Sequence, residues 1–203
     1  MSIRQEAAMD QPTLERLERT PMSRADFDAL PEGLRGEYVD GVAIVSPPAR
    51  GGHNAVGLEL AVTLRAALPG AFITYERGVT LPTGTLRIPD LAVQRVRDDE
   101  HWSPEVPVLV VEILSASTRE EDLFRKASDY RRAGIAQYWV VDRVARTLTA
   151  LVNAGEHWDI ALALTEKRPT GSIAVADLGE VEPGPLSPAG LTRRSRSPAP
   201  ARG

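Results

Sequence analysis

The sequence predicts an α+β (α/β) fold: a mixed central β-sheet flanked by helices. Three observations carry that reading. The run VLVVEILS, residues 108–115, is apolar at nearly every position, as an inner strand covered on both faces must be. Residues 54–68 instead place Val56, Leu60, Leu64 and Leu68 at helical spacing. GEYVDGVAIVS holds Asp40-Gly41, a pair suited to a tight primed turn, between two β-rich runs, which marks a hairpin.

The remaining elements follow in order. Residues 1–20 are polar, carry no convincing strand and end in a Thr-Pro break, so they read as a mobile N-terminal arm. The domain spans 21–178. Ser23 caps a short helix through Leu30, closed by a turn at Pro31 to Gly33. The 54–68 helix stops at Pro69-Gly70. AFITYE and GVTLPTGTLRIPDLAVQRV give two or three strands with PTGT as a turn, and a polar loop leads to the 108–115 strand. TREEDLFRKASDYRRAG is a helix with a capping box available from Thr118 to Glu121 and Gly134 as its stop. QYWVVD, TLTALVN and HWDIALAL read as further strands, antiparallel at the sheet edge. Residues 179–203 are rich in Pro, Gly, Ser and Arg and read as a disordered tail.

Composition narrows the chemistry. At 203 residues and 42% hydrophobic, the chain suits one domain with a proper core. It has no apolar run near the roughly 18 residues that a membrane span needs, so a cytoplasmic, soluble protein is expected. Zero cysteines exclude disulfides, iron–sulfur clusters and thiolate zinc sites. Any metal would rest on oxygen and imidazole ligands, which favours Mg²⁺ or Mn²⁺. With 24 Lys and Arg against 28 Asp and Glu, the net charge of −4 opposes nucleic-acid binding over the whole surface and leaves room only for a local basic groove. Basic residues do cluster at Arg119, Arg125, Lys126, Arg131 and Arg132, and again at Arg193, Arg194 and Arg196; a solvated helix face and tail explain them equally well. No Walker loop, dinucleotide fingerprint or GxSxG elbow occurs.

Glu112 is the anomaly. A carboxylate inside an apolar strand must be neutralised, ion-paired or metal-bound, because burying it alone costs several kcal/mol or more. Asp90 follows Pro89, which interrupts a strand, and precedes another apolar run. Two neighbouring strands would bring both acids together, and a divalent cation would answer both at once. On the following helix Leu123, Ala127, Tyr130 and Gly134 form the inner stripe, Lys126 sits on its shoulder, and Arg125, Asp129 and Arg132 face away. Lys126 can therefore reach the acids, either as a plain ion pair to Glu112 or as a catalytic group. Tyr130, Tyr138 and Trp139 read as packing, and Ser115 and Ser117 as helix-capping residues.

These residues resemble a known family. IPDLAV, VEILSAST, a helix carrying Lys126 and Tyr130, then GIAQYWVVD, with GEYVDGVAIVSPP and His53 upstream, are similar to the Uma-type putative restriction endonucleases of the PD-(D/E)XK nuclease superfamily. The resemblance implies a restriction-endonuclease-like core and Mg²⁺-dependent cleavage of DNA, with Asp90, Glu112 and a lysine in the site. The superfamily motif places that lysine two residues after the second acid, where this chain has Leu114, so Lys126 would take its place. Asp90, Glu112 and the Ile113 carbonyl would hold the metal, Glu37 would serve a second ion, and His53, Arg87 and Arg119 would contact substrate. A homodimer is expected from the two-fold symmetry of DNA. The alternative is a catalytically inactive module that binds nucleic acid or protein.

Overall fold

A computed structural model of the chain describes residues 17–31, 36–49 and 51–184. In chain order its elements are β1 (Glu18–Pro21), α1 (Arg24–Asp28), β2 (Gly36–Val39), β3 (Val42–Val45), α2 (Gly51–Ala67), β4 (Phe72–Tyr75) and β5 (Gly78–Thr80). There follow β6 (Leu86–Arg87), β7 (Leu91–Gln94), β8 (Trp102–Ser103), β9 (Leu109–Ile113), a π-helical turn (Glu121–Lys126) that runs into α3 (Ala127–Arg132), and β10 (Gln137–Asp142). The chain closes with β11 (Thr147–Asn153), β12 (Trp158–Leu164), β13 (Ile173–Val175) and β14 (Gly179–Val181). The expected α+β class is observed.

The strands form two six-stranded sheets and a small hairpin where the sequence pattern suggested one central sheet. The first sheet has the order β1-β3-β2-β6-β5-β8, the second β12-β11-β10-β9-β7-β4, and β13 pairs with β14. Proline explains the split. β6 ends at Arg87 in the first sheet and β7 begins at Leu91 in the second. Between them Pro89 has no amide to donate and a fixed φ, so the ladder breaks and the chain changes sheets. A second crossing lies beside it: β4 leaves the second sheet at Tyr75, β5 enters the first at Gly78, and Glu76 between them takes a φ of +48°. The Glu76 amide donates to the Asp90 carbonyl at 2.9 Å, which ties the two crossings together.

The second sheet is buried on both faces. Leu109, Val111 and Ile113 of β9 pack with Leu60, Leu64 and Leu68 from α2 and the residue after it, while Val110 and Leu114 join Ala127, Tyr130 and Tyr138 on the other side. Each such fully buried aliphatic contributes roughly 1.5–3 kcal/mol. Glu112 occupies the alternate position between Val110 and Leu114, so it faces α3. β9 runs parallel to β10 and antiparallel to β7, with Leu91 opposite Val111. Carried one step further, that register sets Asp90 against Glu112.

Local signals mostly hold. The hairpin between β2 and β3 turns at Asp40 (φ +47°) and Gly41 (φ +80°), as a primed turn requires. Ser23 caps α1 by accepting from the Asp26 amide. The box from Thr118 to Glu121 does not form. The Ser115 hydroxyl accepts from the Thr118 amide at 3.2 Å, Thr118 bonds Asp122, and Glu121 is engaged by Arg87 and Arg19. The stretch expected as loop around His101 holds the short β8, where Trp102 packs against Phe27.

Both ends of the expected domain extend further than the composition implied. Glu18, Arg19 and Thr20 of the expected arm pair with β3, and Gly179–Val181 of the expected tail pairs with β13 and buries Val181. Residues 1–16 and 185–203, the latter with the Arg193 to Arg196 cluster, lie outside the described residues, as does most of the turn expected at Pro31 to Gly33. No described helix is long and apolar enough to cross a membrane.

Candidate active site

The sheet crossing at Pro89 leaves the backbone of Ile88 without ladder partners, and buried peptide groups must find others. Acid and base side chains supply them. The Ile88 amide donates to Glu37 Oε1 at 2.9 Å, and the Ile88 carbonyl accepts from Lys126 Nζ at 3.1 Å. Lys126 Nζ also donates to Glu112 Oε1 at 2.9 Å, lies 3.1 Å from Glu37 Oε1 and 3.7 Å from Asp122 Oδ1. The ammonium is buried at the junction of the two sheets and the π-helical turn.

Three buried carboxyl groups, Glu37, Glu112 and Asp122, thus meet one lysine, with buried Asp90 nearby. Neighbouring cations offset part of this charge. Arg87 Nη1 donates to Glu37 Oε2 at 2.8 Å and to Glu121 Oε1 at 2.9 Å, and its Nη2 donates to Asp129 at 2.6 Å. Asp90 Oδ2 accepts from the Ile113 amide at 2.7 Å and lies 3.1 Å from His53 Nε2. Tyr130, from the inner stripe of α3, donates its hydroxyl to Glu112 Oε1 at 2.7 Å.

Acidities record this uneven balance. Burial pushes Glu37 up, but the charges of Lys126 and Arg87 and the Ile88 amide outweigh it and bring it to about 2. For Glu112 burial wins, and the pull of Lys126 is opposed by Asp122, Asp90 and Glu37, so its pKa stands well above the ordinary carboxylate range. Burial likewise lifts Asp122 to about 6 against the pull of Lys126 and Thr118. Lys126 itself is raised, since the surrounding carboxylates overcome its desolvation. Burial lowers His53, yet its hydrogen bond to Asp90 and that residue's charge leave it above its usual value. Neighbouring acids of one pocket are thus held apart, Glu37 as a carboxylate and Glu112 and Asp122 with a raised hold on their protons.

A cation has a place to sit. His53, Glu76 and Asp90 each offer one ligand atom, all within 4.8 Å of one another, where the two sheet crossings meet the first turn of α2. His53 is buried, and among the described residues its Nδ1 has no hydrogen-bond partner. Imidazole with two carboxylates suits a hard or borderline divalent ion, so the residues fit such a group.

This arrangement revises several expectations. Asp90, Glu112, Lys126 and Glu37 are brought together as the sequence suggested. The grouping of metal-ligand spacing, however, takes His53 and Glu76 with Asp90. Of the expected Asp90, Glu112 and Ile113 carbonyl set, Glu112 accepts from Lys126 and Tyr130, and Ile113 meets Asp90 through its amide. Arg87 is 0% exposed with three acidic partners, which makes it an internal counter-ion where substrate contact was expected. Arg119 is half-exposed and paired to Asp142 at 2.7 Å. Asp129, expected to face away, meets Arg87, which reaches the flank of α3 from the first sheet. Glu76 went unnoticed; its only signal was a polar residue ending a strand one step before Arg77-Gly78.

Comparison with known proteins now places the chain. A family model described as "Uma2: Putative restriction endonuclease" matches residues 24–175. The chain belongs to the Uma2 family. Its fold is similar to a crystal structure titled as a putative nuclease belonging to DUF820 from Anabaena variabilis, with a TM-score of 0.65 and 19% identity over 78% of this chain and 92% of that one. At that identity the likeness speaks for the fold. A search of curated proteins gives no match. The Uma2 match spans every residue of the acid cluster, from Glu37 to Asp129.

Proposed function

We propose that the chain is an endonuclease that hydrolyses DNA phosphodiester bonds with Mg²⁺ or Mn²⁺. The observation that carries this reading is the cluster of buried acids on Lys126 beside three ligand atoms of metal spacing. Family membership and the nuclease-like fold support it. His53, Glu76 and Asp90 would hold the cation, which when bound polarises a phosphate oxygen and acidifies water. Lys126 orients Glu112 and places positive charge where a pentacovalent phosphate would gather negative charge. Glu112, lifted out of the ordinary carboxylate range by burial, is suited to exchanging a proton with the attacking water. Glu37 positions Lys126 and the Ile88 backbone. A homodimer would cut both strands, and light scattering at micromolar concentration tests that state.

Leu114 in the position of the motif lysine favours a second reading, a module that binds nucleic acid or protein without chemistry. Plasmid nicking with Mg²⁺ or Mn²⁺ separates the two. The wild type should nick, and Asp90→Ala, Glu112→Gln and Lys126→Ala should not. Nicking that survives all three substitutions removes this site from the reaction, and a wild type that binds DNA without nicking it supports the binding module.

A further inference from the structure

Arg143 is a cation that the acid cluster does not use. It follows β10, whose carboxyl end lies beside that of the parallel strand β9, and ligands of such sheets gather outside those ends. Asp142 fixes the chain there: its Oδ1 accepts from the amides of Val144 at 3.0 Å and Ala145 at 2.9 Å. Arg143 then lies back on the start of α2. A Cβ on Gly52 would stand 2.6 Å from its Nη1 and 3.8 Å from its Cζ, so the guanidinium lies against Gly52 and would have to shift for any side chain there. His53, next in sequence, feels its charge.

The guanidinium is partly buried, its Nε is shut off from solvent without a hydrogen-bond partner, and among the described residues it forms no ion pair. Losing water without gaining a counter-ion is unfavourable, so the group is set up for an anion supplied from outside. A second orphan lies alongside in His53 Nδ1, on a side chain 8% exposed. Arg119, at the same corner, already has Asp142 as its partner. The planar fork of a guanidinium matches two oxygens of a phosphate, and the amides of a helix's first turn favour the same charge.

We propose that Arg143, seated on Gly52, binds a backbone phosphate of the nucleic-acid strand beside the His53, Glu76 and Asp90 cation site. The identity of the anion rests on the nuclease reading; the seat itself rests on the geometry of residues 52, 53 and 143. The test is fluorescence anisotropy of a short DNA duplex with the full chain in Ca²⁺, across a salt series. Each phosphate contact contributes about 0.9 to the slope of log affinity against log salt. Arg143→Gln should therefore lower the slope by about 0.9 and weaken binding about eightfold at 0.1 M salt. Gly52→Ala should reproduce the loss by displacing the guanidinium, and Arg143→Lys should keep the slope. Arg97→Gln, beyond the opposite end of β7 from Asp90, should leave it unchanged. An unaltered slope in Arg143→Gln, an equal fall in Arg97→Gln, or no duplex binding by the wild type overturns the proposal. Because cleavage is read separately, an Arg143-dependent slope in a protein that never nicks would retain the seat and discard the nuclease.

Discussion

Replacing Arg87 with methionine should test whether buried charge is what joins the two sheets. The guanidinium is 0% exposed and answers Glu37 at 2.8 Å, Glu121 at 2.9 Å and Asp129 at 2.6 Å. Glu37 comes from β2, Glu121 from the π-helical turn and Asp129 from α3, so one side chain of the first sheet bridges to the helix that covers the second. Methionine fills the volume but takes a counter-ion from two buried carboxylates, leaving Glu37 to Lys126 and Glu121 to Arg19 and Arg125. Removing one partner of a buried ion pair costs about 3–5 kcal/mol, and the cations that remain leave this case at about 4 kcal/mol. That is a large share of the roughly 5–15 kcal/mol of a typical domain. With a urea m-value near 2 kcal/mol/M, the unfolding midpoint should fall by about 2 M. The triple variant Arg87→Met, Glu37→Gln, Glu121→Gln removes the two charges left short of a counter-ion and should recover most of the loss. A midpoint for Arg87→Met within about 0.3 M of wild type would refute the reasoning, and so would a triple variant no better than the single one.

Other outcomes follow from the same cluster. Glu112→Gln keeps an oxygen to accept from Lys126 and Tyr130 and drops a charge that burial disfavours, so thermal unfolding should show stability within about 1 kcal/mol of wild type or above it while nicking is lost. Stability should peak in mildly acidic solution, as urea midpoints across pH would reveal. Asp122 is raised to about 6, so its cost is present above that pH and fades as protons bind on the way to its unfolded value of 3.8. Glu37 is lowered to about 2, so its contribution is full above 4.5 and disappears below it. Each is worth ~3 kcal/mol; a steady decline from neutral pH to about pH 5 would contradict the assignment. Adding Mn²⁺ at about a hundredfold over its dissociation constant should stabilise the wild type by ~2.7 kcal/mol in a melting experiment, and Glu76→Gln or His53→Ala should abolish the shift. Gly134→Ala should cost about 1 kcal/mol, lowering the melting temperature by about 2–4 °C, because φ is +79° there and the added methyl group meets nothing.

Much of this was legible in the residue order because it depends on local rules. Asp40-Gly41, the apolar stripe of α2 and the two-faced run around Glu112 each specify their own structure without help from distant residues. Pro89 marked the strand break, but the break's consequence, two sheets in place of one, depends on pairings made tens of residues away. The acid cluster was foreseen in Asp90, Glu112, Lys126 and Glu37. Glu76 was not, since nothing in AFITYERG says that a left-handed residue at one crossing will abut the carbonyl of another. Arg87 was expected to contact substrate, and its role as counter-ion stayed hidden because its three acidic partners come from three other segments. Periodicity also misplaced Asp129, since its partner Arg87 comes from the other sheet, which a helical repeat cannot reveal.

That widened turn has a consequence for how the chain tolerates change. From Glu121 to Lys126 the backbone spends one residue more per turn than a regular helix, and everything downstream inherits the offset, including the hydroxyl of Tyr130 and the carboxylate of Asp129. Deleting a single residue between 118 and 125 would let the segment relax to ordinary α geometry while rotating the amine away from Glu112. Length in this stretch is therefore as binding a constraint as side-chain identity, and a shortened loop that leaves every charged group in place would still dismantle the pocket.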